Sequence, residues 1–406
     1  MAYSRDTSIL TKANQQLQKA SRDSGFTYEM NRDNQPLLKP LKLGDLDLRN
    51  RVIMAPLTRT RARNAEHVPT DLMLEYYRQR ASAGLIFTEG TFVSDGAQGW
   101  YGAPGIYTEK QRKAWERITD AVHKEGGKIF VQLWHTGGVS SPELRDGLPA
   151  LAPSALDLGQ QVHSMQGVVM SGLNREMSIG DIKSTIAEFA YAAQIAKEAG
   201  FDGIQLQAGY IYLFQQFLHD LTNKRTDAYG GSIENRARFL FETLEAVLEV
   251  WPSQRVSVKA GPMMNEHGLL RATETTLEAS EYVANKLNDY NISHLFLMQQ
   301  LTNIEKTPIA HMADDAVLHH FRKIFKGQIV GNSGISIEQA NRLIAESVVD
   351  ASAFGRDYIA NPDLVERIRL GARLNEQRPE SFYGDTPDGF TDYPVWSGSA
   401  ANATES

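Results

Sequence analysis

The stretch "FDGIQLQAGYIYLFQQFL" (201–218) reads as the end of a buried strand running into a loop, yet it carries Gln207, Tyr210 and Tyr212. Buried amides and hydroxyls must find hydrogen-bond partners, in the protein or in a ligand. Other apolar runs end in the same manner: Pro56, Leu57 and Thr58 close "VIMAPLT", Gly90 follows "FTE", Gln132 and Trp134 stand in "FVQLWHTG", and Lys259 in "SVKAG". The Gln132 amide offers donor and acceptor together, which suits a planar ligand with alternating groups along its edge. A lysine in such a place suits a ring edge that gains negative charge on reduction. Farther on, "GNSG" (Asn332, Ser333 and Gly334 after a first glycine) and "FGR" (Gly355, Arg356) combine small residues with a guanidinium. Backbone N–H groups of small residues can converge on an anion, and arginine can grip phosphate at two points. Each feature alone has a plain alternative, a core hydrogen bond or a tight turn beside a surface arginine. Together the polar strand ends favour a ligand, and phosphate binding after the last two runs stands open beside the plain turn.

These residues end eight short apolar runs rich in β-branched side chains: 51–57, 84–90, 128–134, 203–207, 255–261, 294–299, 328–334 and 350–355. Helical patterns separate them, among them 108–127, 182–200, 232–251, 275–290, 336–348 and 361–371. In "FAYAAQIAKEAG" the apolar residues recur every three or four positions, as one buried helix face requires. Ser232 and Ser336 stand where N-caps belong, Ser336 with Gln339 as capping-box partner, and Gly200 closes a helix. Alternating strands and helices predict an α/β fold, a (β/α)8 TIM barrel with function at the C-terminal strand ends. No G-x-G-x-x-G follows the first strand, which speaks against an open dinucleotide-binding sheet. The segment 138–180 is too long for a simple loop and is expected to cap the barrel mouth after the third strand. One barrel domain is expected over 36–396, with an N-terminal extension (1–35) and a C-terminal tail (397–406).

Composition removes other classes. A chain of 406 residues, 42% hydrophobic, can bury a large core. A formal net charge of −7 gives no electrostatic ground for a nucleic acid partner. No run approaches the roughly eighteen apolar residues of a membrane helix, and the polar N-terminus lacks the apolar run of a secretion signal. A soluble, cytoplasmic protein is expected. There is no cysteine, which excludes disulfides, thiolate nucleophiles and cysteine-based metal sites. His135, His319 and His320 show no ligand spacing with carboxylates, so no metal is expected. The expected partner is a small-molecule substrate; a homodimer through the extension stays open.

The segments "MAPLTRTRA", "FTEGTFVSDGAQGW", "FVQLWHTG", "NKRTDAYGGSIENRARFLFE", "AFGRDYIANPDL" and "FYGDTPDGFTDYP" resemble the old yellow enzyme family of FMN-dependent ene-reductases, over about residues 36–396. The resemblance implies a barrel that binds FMN, takes electrons from NADPH or NADH and reduces an activated C=C bond. It implies that Pro56, Leu57, Thr58 and Gly90 border the flavin ring, that Gln132 bonds its pyrimidine edge, and that Lys259 replaces the usual arginine beside it. Asn332, Ser333, Gly334, Gly355 and Arg356 would hold the phosphate. Tyr212 would be the proton donor.

The chain departs from the family around the substrate. The usual His-x-x-Asn or His-x-x-His, which holds the substrate's oxygen, is Gln207 and Tyr210 here. Gly138 and Phe390 replace an arginine and a tyrosine common in relatives, and Trp134 completes the expected substrate pocket. Both glutamine and tyrosine can donate a hydrogen bond, but the pocket floor is reshaped. The resemblance therefore implies reduction of a conjugated alkene, of a bulky specialised metabolite. A redox-neutral, flavin-assisted isomerisation and a flavin-independent cyclisation stay open as alternatives.

Overall fold

The computed structural model of the chain describes residues 34–262, 265–266 and 268–398. A closed barrel of parallel strands lies at its centre: β1 (Val52–Met54), β2 (Leu85–Phe92), β3 (Ile129–Trp134), β4 (Gly203–Gln207), β5 (Val256–Ala260), β6 (His294–Met298), β7 (Ile329–Asn332) and β8 (Ala351–Phe354). Each strand pairs with the next, and β8 pairs back onto β1. All eight runs expected to be strands are strands. Both faces of each are buried, and several read as near-continuous apolar runs, whereas β4 (GIQLQ) and β5 (VSVKA) alternate apolar with buried polar residues.

Successive side chains point alternately to the helical layer and to the barrel interior. Val131, Leu133, Ile204, Leu206 and Val258 face outward and join the main core under the helices. Ile53, Leu85, Phe87, Phe130, Phe296, Val330 and Ala351 form a separate inner cluster. Around them run α1 (Asp71–Gln79), α2 (Glu109–Lys124), α3 (Ile179–Glu198), α4 (Leu213–Leu218), α5 (Ile233–Leu248), α6 (Glu274–Lys286), α7 (Ala316–Ile324), α8 (Ile337–Ala345), α9 (Arg356–Ala360) and α10 (Leu364–Leu370). Ser232 and Ser336 cap α5 and α8 through their hydroxyl oxygens. Ser336 accepts only the Gln339 backbone N–H, at 3.1 Å; complete reciprocal boxes form at Thr108–Gln111 and Ser178–Asp181. Gly200, at φ +79°, turns the chain out of α3.

The two ends of the barrel differ. At the N-terminal end an antiparallel hairpin, Leu41–Leu43 with Leu46–Leu48, inserts Leu43, Leu46 and Leu48 into the inner cluster. Its turn residue Gly44 sits at φ +60°, and a Cβ there would lie 2.2 Å from the Gln254 carbonyl oxygen, so only glycine fits. At the other end, the segment 138–180 forms the expected excursion. It pairs Leu151–Ala152 with Arg175–Glu176 and folds a hairpin, Gln161–Ser164 with Gly167–Met170. His163 of that hairpin stacks on Trp100 at 4.2 Å, tying the excursion to the loop after β2. The expected extension and tail lie outside the described residues, apart from Asn34, Gln35, Ser397 and Gly398.

Candidate active site

The inward positions near the C-terminal ends of β3, β4 and β5 are polar. Gln132 Nε2 donates to Gln205 Oε1 at 2.7 Å, and Gln205 Nε2 donates to Ser257 Oγ at 3.2 Å. The strand register sets these three side by side. The relay engages the Gln132 amide nitrogen and leaves its carbonyl oxygen without a donor among the described residues. One level nearer the mouth, Gln207 and Lys259 are register partners. Gln207 is buried with its Oε1 unpartnered. Among the described residues, Lys259 Nζ meets only the face of Phe296, 5.6 Å from the ring centre. Burial alone pulls the Lys259 ammonium down to about 8. A buried cation and a buried amide without partners are costly, so this level of the barrel calls for an electron-rich ligand edge.

Beyond β7, Ser333 and Gly334 both adopt φ +73°. Successive left-handed residues turn their backbone N–H groups to one side, and neither N–H finds an acceptor among the described residues. Open space surrounds the place a Gly334 Cβ would take. The Asn332 side chain bonds within the protein. Its Nδ2 donates to the Ala353 carbonyl at 2.9 Å and its Oδ1 accepts from Ser333 Oγ at 3.1 Å, so the side chain ties β7 to β8 and shapes the turn. Gly355 lets Leu57 approach to 3.2 Å of its Cβ position, and Arg356 opens α9 with an exposed side chain. Pro56, Leu57 and Thr58 are half-buried at the neighbouring end of β1.

The mouth is lined by aromatic groups. Trp134 stacks on Phe92 at 5.2 Å and takes the edge of Tyr212 at 4.8 Å. The Tyr212 hydroxyl makes no hydrogen bond among the described residues. Burial raises its pKa, and Tyr383 and Glu266 raise it further. Tyr210 lies at φ +63°, its ring centre 6.0 Å from that of Tyr212. Its hydroxyl donates to Glu266 Oε1 at 2.5 Å, so it is committed within the protein and is no free donor for a substrate oxygen. Gly138 is closely packed: a Cβ there would lie 2.2 Å from Asn174 Nδ2, leaving no room for the arginine expected in relatives.

Phe390 is not brought to the pocket. It is 0% exposed, stacks on Tyr76 at 4.1 Å and lies against the guanidinium of Arg61, 4.5 Å from the ring centre. The C-terminal segment instead presents Tyr383, which lies 5.0 Å from His163 and 5.7 Å from Trp100, ring centre to ring centre. Buried Arg59 and Arg61 hold this segment. Arg59 donates to the carbonyls of Phe382 and Gly389 at 2.8 and 2.7 Å, and Arg61 to those of Ser381 and Asp388 at 3.1 and 3.0 Å. Beneath them burial pushes the Glu89 carboxyl up to about 7, against the pull of Arg59. Gln205, Glu266, Tyr383 and this arginine pair were not singled out by the sequence pattern. Gln205 had a signal, since it shares the inward face of Gln207 two residues earlier.

A barrel whose mouth joins a backbone cradle for an anion, a buried unpaired cation and a shelf of aromatic rings is built for a phosphorylated redox ring. Comparison with known proteins gives the particular family. Residues 36–375 match the NADH:flavin oxidoreductase / NADH oxidase family, and the chain belongs to it. It is 37% identical over 364 residues to 12-oxophytodienoate reductase 1 of Oryza sativa subsp. japonica, covering 88% of this chain and 93% of that one. Among solved structures, morphinone reductase in complex with tetrahydroNAD shares 40% identity with a TM-score of 0.82, over 89% of this chain and 98% of that one. The old yellow enzyme homologue from Zymomonas mobilis shares 37%, also with a TM-score of 0.82, over 89% and 99%. The chain is an FMN-dependent NAD(P)H oxidoreductase of the old yellow enzyme type, which sets aside the flavin-independent alternative. Its residues fit the cofactor: Lys259 and the Gln132 carbonyl lack partners that a flavin edge supplies, and the N–H groups after β7 lack an anion. Among the described residues no three metal-binding side chains cluster, and no helix is long and apolar enough to cross a membrane.

Proposed function

We propose that this enzyme reduces the C=C bond of an activated alkene, with Tyr212 delivering the proton. When bound, FMN supplies the hydride, which it receives from NAD(P)H. The observation that carries the reading is the Tyr212 hydroxyl: buried, unpartnered, and opening on the same barrel end as Lys259 and the phosphate cradle. Burial keeps the phenol protonated across the physiological range, so it is a proton source and not a base. Trp134, packed edge to face against it, fixes the ring and leaves the oxygen as the only reactive edge.

Ser333, Gly334, Gly355 and Arg356 would hold the FMN phosphate, with Asn332 shaping the turn. Pro56, Leu57, Thr58 and Gly90 would border the ring, Gln132 would accept from its pyrimidine edge, and Lys259 would stabilise negative charge gathering there. Gln207 would hold the substrate's electron-withdrawing oxygen through its amide NH2. Because Tyr210 is committed to Glu266, that oxygen loses one of two usual donors, which favours a bulky, specialised substrate with further anchoring contacts over a simple enone. Anaerobic oxidation of NADPH by the yellow protein, with conjugated enones added, tests the reading. Stoichiometric NADPH consumption and a saturated product support it; conversion of the alkene without NADPH loss would replace it with isomerisation.

A further inference from the structure

We propose that Glu266 makes this mouth selective for an activated alkene carrying a protonated amine; the substrate class rests on the alkene-reductase reading above. Tyr210 holds a left-handed backbone that bulky residues rarely adopt, and its hydroxyl is bonded at 2.5 Å to Glu266 Oε1. Glu266 stands on a braced loop: its N–H donates to the Leu270 carbonyl at 3.0 Å, while neighbouring Asn265 bonds the Asn303 carbonyl at 2.8 Å and accepts the Ala272 N–H at 3.2 Å. Among the described residues, which leave out His267, the second carboxylate oxygen has no hydrogen-bond partner and no arginine, lysine or histidine lies within ion-pair distance.

The charge is felt inside the pocket. After burial, Glu266 raises the pKa of both Tyr210 and Tyr212, as Tyr383 does, whereas burial raises Tyr383 against the pull of Arg59 and Arg356. Charges of both signs flank the mouth: Arg59 and Arg356 near the ends of β1 and β8, Glu266 on the loop after β5, and Lys259 deeper on β5 itself. Gln207, register partner of Lys259, is buried with its amide oxygen unpartnered among the described residues. Its amide can turn either end to a ligand, and the carboxylate decides which substituent is welcome there: an ammonium group would take a charge-assisted bond, and a carboxylate would be repelled. A neutral substituent would gain no such bond.

Glu266→Gln separates this role from bracing, because an amide oxygen still accepts from Tyr210 while the charge is gone. The test is titration calorimetry of the FMN-loaded enzyme at neutral pH with cyclohex-2-enones bearing aminomethyl, ethyl or carboxylate groups at C4. The native enzyme should bind the aminomethyl ring about tenfold or more tighter than the ethyl ring, about 1.4 kcal/mol, with the carboxylate ring weakest. In Glu266→Gln the first two should converge to within about twofold, near the scatter of such measurements. Equal affinities in the native enzyme, or an amine preference surviving Glu266→Gln, would overturn the proposal. Should that variant not fold, Tyr210→Phe leaves the carboxylate in place and must keep the preference; losing it would overturn the proposal as well. Turnover is read separately: rings that bind as stated but are never reduced count against alkene reduction and leave the selectivity standing.

Discussion

The indole of Trp134 lies directly against Gly90, and a methyl group at residue 90 would stand 2.4 Å from its Cε3. The same indole meets the edge of Tyr212 at 4.8 Å. Gly90 thereby sets the position of the proposed acid through one intervening ring. Gly90→Ala should displace Trp134 and lower stability by about 1–3 kcal/mol, the usual cost of overpacking. Alkene reduction should fall on the order of 10²-fold, as small displacements of reacting groups do. Thermal melts and steady-state rates on the same preparation check both.

Removing the Tyr212 oxygen breaks no hydrogen bond among the described residues. Tyr212→Phe should therefore change stability by less than about 0.5 kcal/mol. Stopped-flow measurement should show the alkene half-reaction slowed by about 10²- to 10⁴-fold, the worth of a placed general acid, with reduction of the flavin by NADPH far less affected. Equal loss in both half-reactions would remove Tyr212 from the proton-donor role.

Lys259 gives a pH dependence of definite sign. Its ammonium is held at about 8 in the folded chain against 10.5 for an ordinary lysine. The unfolded chain binds the extra proton between these values, so burial destabilises the fold fully below about 8 and the penalty fades as pH rises toward 10.5. Urea unfolding of flavin-free protein should show that gain between pH 8 and 10, and Lys259→Met should abolish it. Loading with FMN should shrink the gain, because an electron-rich partner supports the charged form.

Arg59 is 1% exposed and joins the loop after β1 to residues more than three hundred positions later. Arg59→Met should cost about 3–5 kcal/mol, since it strips bonds from buried carbonyls and leaves Glu89 short of a cation. Hydrogen exchange should quicken across 381–390, and Tyr383 should lose its fixed place beside Trp100.

The barrel was legible in the sequence because its strands are buried on both faces and its helices on one, and both leave periodic marks. Strand-end residues such as Gln132, Gln207 and Lys259 were legible for a related reason: a polar side chain inside an apolar run is conspicuous. What escaped were contacts between loops. Nothing near Tyr210 announces Glu266, which lies 56 residues on and meets it only because β4 and β5 are neighbours. The burial of Phe390 and the exposure of Tyr383 were likewise unmarked in the sequence. Adjacency to a shared motif placed Phe390 at the mouth, whereas the Arg59 and Arg61 bonds turn it into the core and swing Tyr383 outward.

The leucine hairpin under the barrel works as a stopper. With the interior packed from that end, the proposed chemistry has the C-terminal mouth to work from, and nicotinamide and alkene sharing one face of the flavin there would exclude each other. Double-reciprocal plots at several NADPH concentrations should then give parallel lines, and either reactant in excess should obstruct the other.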